Sequence, residues 1–224
     1  RRAKIIFRSS SFLKGDGKMI GLYTQNIERV MFGVACDDEK VFDTTFAFDE
    51  NKALQGLLEN IPSNVPFEQL NEPSAFAERA IALLKDVYDG KDISERFSLA
   101  TEHLSSSTRK VIKVTLMIPV GYVTSYGSVA KAAGGRPRAV GRVMAYDPFA
   151  PIVPCHRVVG SDFTLGGYGG GLGLKLEFLS RERRGYAAER EVSVNGKNLQ
   201  VFPVEFVLRK LEKQQRNART LLVR

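Results

Sequence analysis

The sequence lacks an apolar run of about 18 residues, the length that a membrane-spanning helix needs, so we expect no membrane span. It is also poor in cysteine and histidine, with two of each. Cys36 and Cys155 are too few for a disulfide framework and fit a reducing compartment, either the cytoplasm of a prokaryote or the nucleus of a eukaryote. A closed zinc site would need both cysteines together with His103 and His156, and we expect no metal site.

What the sequence has in excess is positive charge, with a formal net charge of +8 over 224 residues. An excess of this size predicts a polyanionic partner, which is either nucleic acid or an acidic membrane surface. Residues 1–8 are basic, but their apolar stretch is too short for a signal peptide. The first residue is Arg rather than Met, which we interpret as trimming, and a removed targeting segment stays an open alternative.

The first hundred residues predict a small α/β domain without catalytic chemistry. Apolar and other residues alternate within residues 19–48, which predicts strands. Residues 60–73 contain three prolines and predict a loop. We expect a helix that starts at Ser74 and is ended by Gly90, with an apolar face that packs in the core.

The following residues predict three helices in succession. The first is capped within residues 105–108 and ended by Gly121, and its apolar positions are Val111, Val114, Leu116 and Ile118. The second begins at Thr124 or Ser125 and ends at two glycines, and Pro137 then suits the first turn of the third. Helix, glycine turn and helix form a helix-turn-helix pattern, for which an ordinary helical hairpin is the alternative.

The last residues, 189–224, predict a hairpin and a helix. Asn195-Gly196 favours a type I′ turn between two strands. The helix is amphipathic because four apolar residues follow helical spacing: Val204, Val207, Leu208 and Leu211. We expect this extension to pack on the body of the protein, with a partner contact as the alternative.

Cys155 and His156 form the most informative pair in the chain. A cysteine beside a histidine between apolar residues is a candidate activated nucleophile. We expect an extended strand here, on which neighbouring side chains point to opposite faces, so a direct contact is not assured and a bridging water could carry the proton. From the pair alone, a buried structural cysteine with a core histidine is the alternative.

A glycine-rich segment, residues 166–173, follows the pair. Glycines let the backbone approach a ligand closely and present its amide groups, and a flexible turn is the alternative. It is not preceded by a strand–glycine–helix unit of the dinucleotide type, so we do not expect a phosphate loop. Residues 175–184 then predict a helix with Leu176 and Leu179 on its core side.

Taken together, these segments resemble the O6-alkylguanine-DNA alkyltransferases, also called methylated-DNA–protein-cysteine methyltransferases. The matching pieces are Ser125-Tyr126, Arg138-Ala139-Val140-Gly141, Pro154-Cys155-His156-Arg157-Val158, Tyr168-Gly169-Gly170-Gly171-Leu172 and Glu182. The resemblance is strong over residues 108–185 and highly specific around the Pro-Cys-His-Arg stretch. Residues 20–100 match only in general character, as does the family's variable N-terminal domain.

The resemblance implies an α+β fold with three parts. Residues 1–100 would form a small α/β, ribonuclease-H-like domain, and residues 101–188 a mostly helical winged helix-turn-helix catalytic DNA-binding domain. Residues 189–224 would be an extension beyond the family's usual core. The implied protein is a monomer that needs no cofactor and acts on double-stranded DNA.

The resemblance also implies how DNA is bound. The second helix of the helix-turn-helix would enter the minor groove, where Ala139 and Gly141 are small enough to allow a close fit. Arg138 would enter the base stack and replace the flipped-out nucleotide. Arg142 and Lys131 are candidate phosphate contacts, with a solvated helix face as the alternative.

In the implied pocket, Cys155 is the attacking thiolate, His156 takes its proton through water, and Glu182 holds the imidazole tautomer. The substrate is the alkyl group on O6 of guanine, with O4 of thymine left open, and the thioether product consumes the protein. The groups expected to face the base are the Tyr126 hydroxyl, the Gly169 amide, the carbonyls of Cys155 and Val158, and the Tyr168 ring.

Asp147 departs from the family's pattern, because that position usually holds Asn. An ionised Asp can only accept hydrogen bonds, whereas Asn also donates them. We expect Asp147 to support the turn by accepting from backbone amides, and Asp147→Asn to be tolerated or to raise the rate near neutral pH.

Two other functions compete with this interpretation. A non-enzymatic relative could bind alkylated guanine and flag it, but such relatives lack the cysteine that is present here. A Cys–His hydrolase would turn over repeatedly on a small substrate, and the helix-turn-helix pattern argues against it.

Overall fold

The computed structural model describes residues 19–61, 65–93, 97–194 and 196–222. The described residues divide into two compact units. The first runs to Ala82 and includes Phe97–Ala100, and the second holds the remaining described residues. The last residues of the first unit are therefore Phe97–Ala100, while the described residues from Leu83 to Ile93, and residues 189–194 and 196–222, belong to the second unit. The fold is α+β, with one four-stranded sheet in each unit.

The first unit is a sheet with a helix packed on it, in the order β1 (Ile20–Ile27), β2 (Val30–Cys36), β3 (Val41–Ala47), α1 (Glu50–Glu59) and β4 (Phe67–Gln69). The strand order across the sheet is β3-β2-β1-β4, antiparallel except where β4 pairs parallel with β1. The strands expected in residues 19–48 are confirmed. Helix α2 (Ala75–Tyr88) begins in this unit and continues past Ala82 into residues of the second, and Gly90 ends it with a positive φ of 72°, as expected.

Two elements of this unit were not predicted. The first is α1, which the Asp49 side chain caps by accepting from the backbone N–H of Lys52 at 2.9 Å. The inner face of α1 is formed by three buried residues, Ala53, Leu54 and Leu57. Residues 60–73 are not a loop throughout, because they contain β4. A strand of three residues is too short to show an alternating pattern in the sequence, and β4 forms because it pairs with β1.

The second unit contains α3 (Ser106–Thr115), β5 (Tyr122–Ser125), α4 (Tyr126–Ala133), α5 (Pro137–Ala145), a 3-10 turn (Cys155–Arg157), β6 (Val158–Val159), α6 (Leu172–Arg181), β7 (Arg190–Val194), β8 (Lys197–Pro203) and α7 (Val204–Leu222). Its sheet has the order β6-β5-β8-β7. None of the helices in the described part of the chain has the length and apolarity that crossing a bilayer requires.

Helix α3 is shorter than expected. Its cap is confirmed, because the Ser105 hydroxyl accepts from the backbone N–H of Thr108 at 3.1 Å. The helix ends at Thr115 rather than running to Gly121, and Leu116 is 42% exposed instead of lying in the core. Ile118 is buried, but it lies in the turn that follows the helix.

Helices α4 and α5 meet at a tight glycine turn, as the sequence predicts. The Ser125 hydroxyl caps α4 by accepting from the N–H of Ser128 at 3.0 Å. Gly134 closes that helix with a φ of 77°, a conformation that favours glycine, and Pro137 opens α5. Thr124, the other candidate cap, instead donates to the carbonyl of Gln200 at 2.6 Å.

The C-terminal residues are part of this unit's core, which confirms that they pack on the body. Strand β8 pairs antiparallel with β5, and the N–H of Val204 donates to Gly121 O at 3.0 Å. The buried side chains of the hairpin share one core with α4: Val194, Leu199 and Val201 with Val129, Ala130 and Ala132. Asn195 lies outside the described residues, so the expected turn type is not tested.

Candidate active site

Cys155 and His156 lie in a 3-10 turn and not on the expected extended strand. The turn begins after Pro154, whose ψ of 62° is not extended, and the N–H of Cys155 donates to Val153 O at 2.7 Å. Both side chains are buried, with 3% of Cys155 and none of His156 exposed. Successive residues of such a turn diverge by about a third of a rotation, so the two side chains do not share one direction.

His156 is paired with Glu182, the residue that the sequence analysis assigned to it. His156 Nε2 lies 2.8 Å from Glu182 Oε1, and the ring stacks on Phe178 with centroids 4.7 Å apart. Burial lowers the pKa of His156 against the attraction of the carboxylate, so the ring is neutral at rest. A neutral ring that donates from Nε2 leaves Nδ1 as a base, and Nδ1 has no hydrogen-bond partner among the described residues.

Arg157 is a partner of Glu182 that the sequence analysis did not assign. Its Nε lies 2.9 and 3.0 Å from the two carboxylate oxygens, and its Nη1 donates to Ile118 O at 2.7 Å. Burial opposes the charge of Glu182, but Arg157 and His156 overcome it and lower the pKa of Glu182 to about 2. The carboxylate is therefore ionised over the whole physiological range and fixes both neighbours.

Lys175 is the second residue of this site that the sequence analysis did not assign. It comes from α6, is fully buried, and donates to Val158 O at 2.6 Å and to Gly167 O at 3.3 Å. Its ammonium lies 5.8 and 5.9 Å from the ring centres of Tyr126 and Tyr168. Burial lowers the pKa of Lys175 to about 8. The Val158 carbonyl, expected to face the base, already accepts from this lysine.

The Cys155 thiol is protonated at rest. Burial is the main cause that raises its pKa, and the Asp147 carboxyl raises it further. Lys175 and Tyr168 act in the opposite direction. The site thus holds a weak acid beside a neutral base and a buried cation, an arrangement that can move a proton away from sulfur when an electrophile arrives.

A cavity of about 480 Å³ lies between α5 and the glycine-rich segment. That volume suits one small aromatic ligand. Five of its lining residues were expected to contact the base or DNA: Tyr126, Arg138, Gly141, Tyr168 and Gly169.

Gly166 makes room for Tyr126 at this cavity. It has a φ of 65°, and a Cβ on it would lie 2.9 Å from both Cε2 and Oη of Tyr126. The Tyr126 hydroxyl donates to Gly167 O at 3.4 Å, a long bond that a ligand could replace. The glycine-rich segment therefore forms one wall of the cavity, with its backbone against the Tyr126 ring.

The structure separates the predicted residues into two groups. Cys155, His156, Glu182 and Asp147 act on one another in pairs but do not line the cavity, and Tyr168, which acts on Cys155, is the lining residue that connects this group to it. Three candidate DNA contacts do not line it and instead lie on exposed positions of α4 and α5: Lys131, Ala139 and Arg142.

The comparisons with known proteins agree on one family. The model for the DNA binding domain of 6-O-methylguanine DNA methyltransferase matches residues 106–184. The methylated-DNA–protein-cysteine methyltransferase of Methanocaldococcus jannaschii is 31% identical over 157 residues, which cover 70% of this chain and 90% of that protein. The protein of the same name from Pyrobaculum aerophilum is 54% identical over 67 residues, 30% of this chain and 45% of that protein.

A solved structure gives the same result. The crystal structure of Mycobacterium tuberculosis OGT in complex with DNA matches with a TM-score of 0.58 and 27% identity, covering 73% of this chain and 92% of that chain. The stretch matched to several curated relatives spans about half of their length.

Proposed function

The chain belongs to the methylated-DNA–protein-cysteine methyltransferase family, and we propose that it repairs alkylated DNA by moving the alkyl group from O6 of guanine to Cys155. One observation carries the proposal. The buried Cys155 thiol adjoins in sequence a neutral imidazole that a carboxylate holds at 2.8 Å, and Tyr168, which acts on the thiol, lines a cavity together with Tyr126.

The reaction is a single displacement at the alkyl carbon. The Cys155 proton passes through a water molecule to Nδ1 of His156, and the sulfur forms a bond to the alkyl carbon. The bond from that carbon to O6 breaks, and its electron pair stays on the purine, which then takes up the proton. Tyr126 donates a hydrogen bond to the ring as it gains charge. The thioether has no labile link, so each molecule reacts once.

DNA would be bound by the α4–α5 pair as a winged helix-turn-helix. Helix α5 presents exposed Arg138 and Ala139 beside the cavity mouth, with Gly141 at its lining. Small residues allow α5 to enter the minor groove, and Arg138 would fill the space of a guanine flipped into the cavity. The protein would act as a monomer on double-stranded DNA, and the first unit, with its mixed sheet, would be the family's ribonuclease-H-like domain.

Intact-protein mass spectrometry tests the proposal. The protein is mixed with a duplex that carries one O6-methylguanine, and separately with O6-benzylguanine. We expect each molecule to gain one alkyl group, located on Cys155 by peptide mapping. Many turnovers per molecule would point to a hydrolase, and binding without a mass change would point to a lesion-flagging protein.

A second experiment separates base flipping from chemistry. Arg138→Ala should slow transfer from the duplex by about a hundredfold or more, the usual size of a lost positioning contact, and leave transfer from O6-benzylguanine nearly unchanged. Arg216→Ala, on the exposed part of α7, is the matched control for loss of positive charge. An equal loss on both substrates would contradict the role of Arg138.

A further inference from the structure

Asp147 is a buried carboxyl group with half of its hydrogen-bonding capacity unused. Its Oδ1 accepts from the backbone N–H of Phe149 at 3.1 Å, which is the amide contact that the sequence predicts. No hydroxyl or N–H group among the described residues donates to its buried Oδ2, and the Cys155 thiol, a weak donor, acts on the carboxyl instead. A buried ionised oxygen without a donor is costly, whereas a neutral acid is tolerated.

The groups around Asp147 do not offset a negative charge. Cys155 and Tyr168 face it, and the hydroxyl of Tyr168 is itself without a partner among the described residues. Lys175 directs its ammonium to the carbonyls of Val158 and Gly167. Glu182 acts on Tyr168 and keeps its own charge paired with Arg157. Burial accordingly raises the pKa of Asp147 to about 7, against the contacts with Phe149 and Cys155.

We propose that Asp147 is a positioning residue that acts on Cys155 through its own protonation: as a neutral acid it permits the thiolate, and as a carboxylate it suppresses it. The proposal rests on the proposed function, in which Cys155 is the nucleophile. A neutral carboxylic acid has one donor and acceptor oxygens, so it offers what the amide of Asn offers at this position. The ionised form has no donor and places a like charge beside the sulfur.

The pH dependence follows from this coupling. Below about pH 7 Asp147 is neutral, and Asp147→Asn should react at the same rate as the parent protein. Above that pH the carboxylate raises the pKa of the Cys155 thiol in the parent but is absent from the variant. The rate of the variant divided by the rate of the parent should therefore rise with pH, whichever group takes up the thiol proton.

The test compares both proteins from about pH 5 to about pH 9 with two readouts. One is single-turnover transfer from an O6-methylguanine duplex. The other is reaction of Cys155 with methyl methanethiosulfonate, with Cys36→Ala present in every protein. We expect a rate ratio near one at pH 5 and about ten at pH 9, equal to one unit of thiol pKa. Asp162→Asn, which removes an exposed carboxylate, should keep a ratio near one throughout.

The outcomes separate this inference from the proposed function. A ratio that stays constant across the range for both readouts overturns the role of Asp147. A thiol reaction that diverges as expected, together with no transfer from DNA, supports it and removes the alkyltransferase assignment. If Asp147→Asn fails to fold, the carboxyl carbon of Asp147 is titrated by NMR in the parent protein. A midpoint near 7 supports the inference, and a midpoint near 4 contradicts it.

Discussion

Cys36 and Cys155 are both buried, one at the end of β2 in the first unit and the other in the 3-10 turn of the second. Burial raises the pKa of Cys36 to about 12, and Asp37 and Asp38 add to it. Burial and Asp147 likewise raise the pKa of Cys155, but Lys175 and Tyr168 oppose them there. Both thiols are weak acids, so burial does not distinguish a nucleophile from a core residue. The difference lies in what else faces the sulfur.

The surroundings of Cys155 are organised over three segments of chain. His156 and Arg157 adjoin it in sequence, Glu182 follows α6, and Lys175 lies within that helix. Around Cys36, the charged groups that act on the thiol are two acidic neighbours in the adjoining turn. The first arrangement can accept a proton and stabilise a thiolate, and the second can only oppose one.

The largest expected effect is the loss of alkyl transfer when the Cys155 thiol, and not the Cys36 thiol, is removed. Cys155→Ala should abolish alkyl transfer and leave DNA binding intact, because the pocket and α5 remain. Cys36→Ala is the matched control and should transfer a full equivalent. Mass spectrometry after incubation with the methylated duplex measures alkyl transfer, and a gel-shift titration measures DNA binding. Transfer by the Cys155→Ala protein would end the distinction between the two thiols.

The next largest effect concerns the carboxylate that fixes the base. Glu182→Gln should slow transfer by about a hundredfold to ten-thousandfold, the range for loss of an acid–base group. It should also reduce the free energy of unfolding by about 3 to 5 kcal/mol, because Arg157 stays buried without its partner. Glu177→Gln, at a half-exposed position of α6 where Glu177 pairs with Arg181, is the control. Urea titration and single-turnover rates give the two numbers.

The pH dependence of the free energy of unfolding shows whether the charge of Glu182 stabilises the folded protein. Its pKa is depressed in the folded protein, from an ordinary value of 4.5 to about 2. The stability it contributes is therefore fully present above pH 4.5 and is lost as the pH falls toward 2. Parent and Glu182→Gln proteins should converge in stability over that window. A difference that stays constant through it would show that the carboxylate is not held by charge.

The sequence predicts the candidate catalytic residues better than it predicts the groups that support them. Cys155, His156 and Glu182 follow from a specific motif, and the structure brings them together. Lys175 was expected only as the start of a helix, because nothing in the local pattern shows that a lysine is fully buried. The helix in fact begins at Leu172, which places Lys175 one turn inside it, facing Val158. Burial of a charge is decided by distant segments and cannot be inferred from neighbours in sequence.

A smaller effect is expected from removing that lysine. Lys175→Met takes away the cation that stabilises the Cys155 thiolate, and it should slow transfer by about tenfold, or one unit of thiol pKa. Because the pKa of Lys175 is lowered to about 8, its charge is present below that pH and lost above it. The difference between variant and parent should thus be largest at pH 6 to 7 and shrink above pH 8. Lys210→Met, which removes a surface lysine paired with Asp162, is the control.

The smallest expected effect concerns the acidic residues around the Cys36 thiol. Asp38 is exposed, so water and salt screen its charge far more than the buried charge of Asp147. In a Cys155→Ala background, Asp38→Asn should increase the reaction of Cys36 with methyl methanethiosulfonate by about threefold at most, since a solvated charge shifts a neighbour's pKa by only a fraction of a unit. High salt should reduce even that difference. An increase of tenfold or more would mean that exposed carboxylates control buried thiols as strongly as buried ones do. The contrast between the two cysteines would then lie in access to the reagent and not in the charges that face the sulfur.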